Sequence, residues 1–251
     1  MKKVIAFDLD DTLAVTKSPI TDRMAELLGE LLETHQVCVI SGGNFEQFKK
    51  QVVDNLPIEH HLLLNMHLMP TCGTRYYRFN DIKQEWVCVY AEDIPETDKK
   101  RIIDALFYAA EETGYLEKEP YGEIIEDRQS QITFSACGQQ APPKVKYAWD
   151  PDMKKRMKIR EKIAPVLTDY EVRIGGTTSI DVTKPGIDKA YGMEKLMNVL
   201  EVGKEEILFV GDKLEEGGND YPVKTIGIET IAVEDWEDTA LVVETIIKST
   251  R

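Results

Sequence analysis

The stretch Phe7-Asp8-Leu9-Asp10-Asp11-Thr12-Leu13, which follows Lys3-Val4-Ile5-Ala6, decides how the rest of the chain is read. Val4 to Phe7 is a continuous apolar run bounded by charge, the pattern of a central parallel strand buried on both faces. Open α/β sheets bind ligands just beyond the carboxyl ends of their strands. The segment therefore places three carboxylates and a hydroxyl where a site is expected. Side chains alternate along an extended chain, so Asp8 and Asp10 point the same way. Two oxygen ligands on one side of a strand tip suit a hard cation such as Mg2+. An acidic turn that only solubilises a strand end has the same composition, so the other strand tips must discriminate.

Working outward, Thr21 is placed to cap a helix in which Met24, Leu27, Leu28, Leu31 and Leu32 recur at helical spacing. Val37-Cys38-Val39-Ile40 is a second buried strand and runs into Ser41-Gly42-Gly43-Asn44. Phe45, Phe48, Val52 and Val53 mark another helix, and Leu62-Leu63-Leu64 a short strand. This alternation implies a parallel sheet. It returns near the C-terminus with a helix through Tyr191, Leu196, Val199 and Leu200, the strand Ile207-Leu208-Phe209-Val210, and a further strand over 225–228. The middle differs. Residues 75–90 read as a hairpin about Asn80-Asp81, and 98–112 as an amphipathic helix. Ile132-Thr133-Phe134-Ser135 and Ser179-Ile180-Asp181-Val182 read as half-buried antiparallel strands. The expected architecture is α/β: a Rossmann-like parallel-sheet core from residues 1–82 and 186–251, interrupted by an α+β domain over 83–185.

Bulk properties narrow the function classes. With 31 Lys plus Arg against 45 Asp plus Glu, the formal charge is −14, which disfavours nucleic acid and anionic membrane surfaces as partners. No stretch approaches the roughly 20 apolar residues of a membrane span. The four cysteines, Cys38, Cys72, Cys88 and Cys137, form no CxxC pair and no metal-ligand spacing. His60-His61 is a lone adjacent pair, so zinc is not expected. A reducing cytoplasm is the expected location.

Three more loops follow core strands. Ser41-Gly42-Gly43 offers a hydroxyl and backbone N–H groups at a helix N-terminus, a common anion site. Lys189, after Pro185-Gly186-Ile187-Asp188, sits at a helix start, where it opposes the dipole unless an anion is near; a solvated lysine is the simpler reading in isolation. Gly211-Asp212-Lys213, continuing to Gly217-Gly218-Asn219-Asp220, could complete a cation site.

Taken in order, Asp8-Leu9-Asp10-Asp11-Thr12, Ser41, Lys189 and Gly211-Asp212 with Gly218-Asn219-Asp220 match the four motifs of the haloacid dehalogenase superfamily. The insertion resembles the C2B-type cap of its IIB (Cof-type) subfamily. A closer resemblance is to eukaryotic-type phosphomannomutases, through Gly175-Gly176-Thr177-Thr178-Ser179-Ile180-Asp181-Val182, Gly186-Ile187-Asp188-Lys189 and Gly211-Asp212-Lys213.

The resemblance implies roles. Asp8 would be the nucleophile forming an aspartyl-phosphate, and Asp10 the general acid and then base. Mg2+ would be held by Asp8, the Asp10 carbonyl and Asp212. Ser41 and Lys189 would hold phosphoryl oxygens, with Gly42 and Gly43 lining the substrate and Thr12 positioning the loop. Asn219 and Asp220 would orient these groups from behind. In the insertion, Arg128, Ser179 and Asp181 would contact the substrate. Where the phosphomannomutases carry another arginine, this chain reads Gly138-Gln139-Gln140-Ala141. Lysine is no substitute for a bidentate arginine on phosphate, so capture of a second phosphate is expected to be weak. A Mg2+-dependent phosphatase acting on a sugar phosphate or similar small metabolite is accordingly expected first. A phosphomannomutase interconverting mannose 6-phosphate and mannose 1-phosphate comes second, and a non-catalytic sugar-phosphate sensor third. A monomer or homodimer suffices for any of them.

Overall fold

Strand β1 (Val4–Phe7) is buried along its length, and its alternation splits the core around it. Ile5 and Phe7 join one apolar layer, Val4 and Ala6 the other. The computed structural model describes residues 2–250. After β1 come α1 (Asp22–Leu32), β2 (Gln36–Ile40), α2 (Phe45–Gln51), the single-turn α3 (His60–Leu63), β3 (Met66–Met69), and the hairpin β4 (Arg75–Asn80) and β5 (Glu85–Ala91). Then follow α4 (Glu96–Glu112), β6 (Ile125–Asp127), β7 (Gln131–Ser135), α5 (Pro143–Trp149), α6 (Lys154–Ile163), β8 (Glu171–Gly175) and β9 (Ser179–Thr183). The chain closes with α7 (Lys189–Leu200), β10 (Ile207–Gly211), α8 (Tyr221–Thr225), β11 (Glu229–Ala232) and α9 (Trp236–Thr250).

Seven strands form one sheet in the order β11-β10-β1-β2-β3-β4-β5. The first five are parallel, and the hairpin adds an antiparallel edge. Helices α1 and α9 supply Met24, Leu28, Leu31, Val243 and Ile247 to the Phe7 layer. Helices α7 and α8 supply Met193, Leu196 and Val223 to the Val4 layer. Since β2 lies on one side of β1 and β10 on the other, β1 is where strand order reverses, the usual place for a site in such sheets.

The second unit, Glu92–Gly186, has its own antiparallel sheet in the order β6-β7-β9-β8. Ile132, Phe134, Val172, Ile180 and Val182 pack on Ile102 and Leu106 of α4 and Ile159 and Ile163 of α6. The opposite face is polar, with Glu126, Thr133, Asp181 and Arg173 aligned in one row across the four strands. The first unit comprises residues 2–91 and 187–250. It therefore keeps β5, which the sequence boundary at 83 assigned to the insertion: β5 pairs with β4 along its length.

Two expected strands are replaced. Leu62-Leu63-Leu64 falls in and just after α3, with only Leu63 buried, and the strand is displaced to β3. A three-residue apolar run has no period to separate helix from strand. Of residues 225–228, Thr225 ends α8, whose start Pro222 favours, and the rest form the turn before β11, which starts at Glu229. Among the described residues no helix is long and apolar enough to cross a membrane.

His67 on β3 is fully buried, with Nδ1 2.7 Å from the Tyr76 hydroxyl and Nε2 2.7 Å from Gln36 Oε1. Burial, with the nearby Arg78 charge, pushes its imidazole down to about 3. Between that value and the ordinary 6.5 the unfolded chain binds a proton that the folded chain does not. Stability is therefore fully present above 6.5 and is lost as pH falls through the window. In urea titrations the stability difference between wild type and His67→Gln should shift by about 2 kcal/mol against the wild type between pH 6.5 and 5. An NMR titration of the His67 imidazole near 6.5 in the native protein would contradict this.

Candidate active site

Three neighbouring parallel strands end at the site: β1 runs into Asp8, β2 into Ser41, and β10 into Gly211-Asp212. Asp8 remains in sheet register, its amide donating to the Val210 carbonyl (3.0 Å). Lys189 is the first residue of α7, which Asp188 caps by accepting from the Tyr191 amide (3.0 Å). Lys189 is not solvated. Its side chain is 1% exposed, with Nζ 2.6 Å from Asp8 Oδ1 and 2.5 Å from Asp220 Oδ1. Two carboxylates on one ammonium explain how a charge tolerates burial at a helix start whose dipole opposes it.

Asp8, Asp212 and Asp220 each bring a carboxylate oxygen within 4.8 Å of the others. Asp220 thus stands closer to the centre than the outer orienting position expected for it, whereas Asn219 is exposed. The Asp220 carboxylate is fixed by Lys189 on Oδ1 and by the Lys213 amide on Oδ2 (3.0 Å). Gly211 makes room for it, since a Cβ there would lie 2.4 Å from Asp220 Oδ2. Lys213 Nζ pairs with Asp212 Oδ2. An all-oxygen set of carboxylates fits a hard divalent cation, and among the described residues no His or Cys joins it.

Burial pushes the Asp8 carboxyl up to about 7; the Lys189 charge pulls against the rise and Asp220 adds to it. For Lys189, burial acts to lower the pKa, but Asp8 and Asp220 outweigh it and the ammonium is held charged.

The Asp10 carboxylate is not one of the Asp8, Asp212 and Asp220 set and has its own donors. Its Oδ1 accepts from the Lys17 amide (2.8 Å) and Gln51 Nε2 (3.1 Å), and its Oδ2 from Gln47 Nε2 (2.9 Å). The strand has ended by then: Asp11 takes φ 61°, and its amide donates to the Ala14 carbonyl (2.7 Å). The alternation that aligned Asp8 with Asp10 does not extend past Phe7, where β1 ends and a bend at Leu9 follows. Gln47 and Gln51 were not among the sequence candidates. Their signal was one helical turn of spacing, which puts both amides on one face of α2. Thr12 is fully buried, and its hydroxyl has no hydrogen-bond partner among the described residues. Ser41 is also buried, its Oγ accepting from the Gly43 amide (3.3 Å).

The remaining candidates belong to the second unit. Arg128 follows β6, and its Nη2 donates to Glu126 Oε2 (2.8 Å). On β9, Asp181 Oδ1 accepts from Thr133 Oγ1 (2.7 Å). Burial raises the Asp181 carboxyl, against the Arg128 charge, so these two candidates do lie in one electrostatic neighbourhood. Ser179 begins the same strand and is half-buried.

A mainly parallel sheet with carboxylates, a buried lysine and a hydroxyl at its strand tips, in a chain that also carries a separate α+β unit, defines a phosphotransferase of the haloacid dehalogenase superfamily. Solved structures agree at the level of fold. IMP-nucleotidase from Plasmodium falciparum superposes with TM-score 0.71 at 16% identity, over 98% of this chain and 68% of its own. A haloacid dehalogenase-like hydrolase from Bacteroides thetaiotaomicron gives 0.65 at 16%, over 98% and 100%. The family model of eukaryotic phosphomannomutases matches residues 24–249, and the chain belongs to that family. Relatives include a phosphomannomutase of Encephalitozoon cuniculi, 25% identical over 88% of this chain and 84% of its own. Phosphomannomutase 2 of Dictyostelium discoideum is 28% identical over 88% and 86%.

Proposed function

We propose that the chain moves phosphoryl groups between positions of a sugar through an aspartyl-phosphate on Asp8, as a phosphomannomutase. This reverses the order expected from sequence, which put hydrolysis first. Family membership over most of the chain supports the mutase. The observation that carries the chemistry is Lys189, buried between Asp8 and Asp220 beside Asp212. A binding module has no use for a nucleophile so equipped.

In the first half-reaction an Asp8 oxygen bonds to phosphorus while the bond from phosphorus to the leaving oxygen breaks, and Asp10 gives that oxygen its proton. In the second, the Asp10 carboxylate takes the proton of a sugar hydroxyl as that oxygen attacks phosphorus, which frees Asp8. Ser41 and Thr12 would donate to phosphoryl oxygens and Lys189 would offset their charge; the unpartnered Thr12 hydroxyl suits that task. Mg2+, held by Asp8, Asp212 and the Asp10 carbonyl, would lower the repulsion between carboxylate and phosphoryl group.

Hydrolysis remains the second reading, for a specific reason. The 138–141 segment holds no arginine, and Lys146 beyond it donates to the Gln139 carbonyl (3.0 Å). The deciding experiment supplies Mg2+, mannose 1-phosphate and a trace of hexose bisphosphate, and follows mannose 6-phosphate and free phosphate together. Isomer formation in excess over phosphate supports the mutase; phosphate alone leaves a phosphatase. In either assay EDTA should abolish turnover and Mg2+ restore it. Asp212→Ala should raise the Mg2+ requirement more than about tenfold. Turnover that survives exhaustive chelation would remove the metal.

A further inference from the structure

Arg156, in the first turn of α6, is 3% exposed, and its partner Asp150 is fully buried on its side chain. Such a pair needs a reason. A cation in a first turn opposes the helix dipole, and apolar residues of similar volume often serve stability as well or better than a buried ion pair. The geometry supplies one. Arg156 Nε donates to Asp150 Oδ2 (2.8 Å) and Nη2 to the Asp150 carbonyl (3.2 Å). Nη1 donates to the carbonyls of Gly175 (3.0 Å) and Gly176 (2.5 Å). Asp150 in turn accepts from the amides of Lys155 (2.9 Å) and Arg156 (3.1 Å), which satisfies the start of α6. One guanidinium thus ties a helix N-terminus to the turn between β8 and β9.

That turn sets the polar face of the sheet. A Cβ on Gly175 would lie 2.3 Å from Asp181 Oδ2, so the Gly175 backbone is the floor on which the Asp181 carboxylate rests. Further along, the Thr178 carbonyl accepts from the Ala136 amide (3.1 Å), and Ser179 follows directly. Moving the carbonyls of 175 and 176 would move both polar groups. Lysine cannot replace the arginine, because a single ammonium lacks the planar fork that meets a carboxylate and two carbonyls at once.

We propose that Arg156, held by Asp150, is a positioning residue for sugar recognition, acting through the Gly175–Gly176 carbonyls on Asp181 and Ser179. This rests on the sugar-phosphate reading above. The test uses the full chain as Arg156→Lys, Arg156→Met and the charge-free pair Arg156→Gln with Asp150→Asn, which leaves no uncompensated buried charge if Arg156→Met fails to fold. Kinetics with Mg2+ are compared on mannose 6-phosphate with a trace of hexose bisphosphate, following mannose 1-phosphate and free phosphate together, and on p-nitrophenyl phosphate, which lacks sugar hydroxyls, following phosphate release. Hydrogen exchange is read at residues 176–179 and at α4. KM for the sugar phosphate should rise about tenfold, with p-nitrophenyl phosphate kinetics within about twofold. Exchange should quicken at 176–179 while α4 stays protected. Equal losses on both substrates, no change on either, or unchanged protection at 176–179 would overturn the proposal. If the wild-type chain turns over neither substrate, the functional reading has failed instead, and the exchange comparison alone still decides whether Arg156 holds the turn.

Discussion

Asp8→Asn is expected to lower kcat by about four orders of magnitude or more, with the fold retained. The amide is isosteric with the carboxylate and its oxygen can still accept from Lys189, but it cannot attack phosphorus. Stability gives an independent readout. The folded state holds the Asp8 proton up to about 7, whereas the unfolded chain releases it near 3.8. The Asp8 contribution to folded stability therefore falls as pH rises through that window, the reverse of the usual carboxylate and opposite in sign to that of His67. Asparagine cannot titrate, so the variant should lose this part of the pH slope. Near wild-type turnover by Asp8→Asn would remove the nucleophile from the account.

Lys189→Met should be nearly as severe and costs stability as well. Methionine fills most of the lysine's volume but leaves Asp8 and Asp220 facing each other without the cation. Breaking a buried pair by removing one partner costs about 3–5 kcal/mol. The Lys189 charge lowers the Asp8 pKa, so its loss should drive that carboxyl further up and leave less nucleophile at neutral pH. The acid limb of kcat/KM should move to higher pH, and kcat fall by about two to four orders of magnitude. A variant as stable as wild type, with an unmoved acid limb, would mean that Lys189 is not the counter-ion of these carboxylates.

Much of the site was readable because its signals are local. Val4 to Phe7 declares a doubly buried strand, and the segment just past such a strand is where a site is expected, although an acidic or small-residue turn reads the same until several strand tips are taken together. What stayed hidden depends on convergence in space. Lys189 reads as a surface lysine until Asp8 and Asp220, far away in sequence, are seen on either side of it. Asp10 shares a strand-tip alternation with Asp8 only while the chain remains extended, and the bend at Leu9, just past the end of β1, breaks it. Gln47 and Gln51 are neutral amides that no charge pattern marks.

The fold shows the same division. Long periodic helices such as α1 and α4 were visible from their apolar spacing. Short pieces were not: Leu62-Leu63-Leu64 carries too few residues to show a period, and the short 225–228 segment falls at the end of α8 and in the turn before β11. The hairpin strand β5 fell on the wrong side of the expected boundary, because its sheet partner and not its composition assigns it to the first unit.

The central claim is a covalent phosphoryl group on Asp8. Its most direct measurement is peptide mapping by mass spectrometry after the Mg2+-loaded protein is mixed with a hexose bisphosphate and quenched in acid. The predicted result is a hydroxylamine-labile phosphoryl group on Asp8, in the peptide that also carries Asp10 and Thr12, and none in Asp8→Asn. Steady product formation with no phosphoryl group on Asp8, or with one on another residue, would contradict the account.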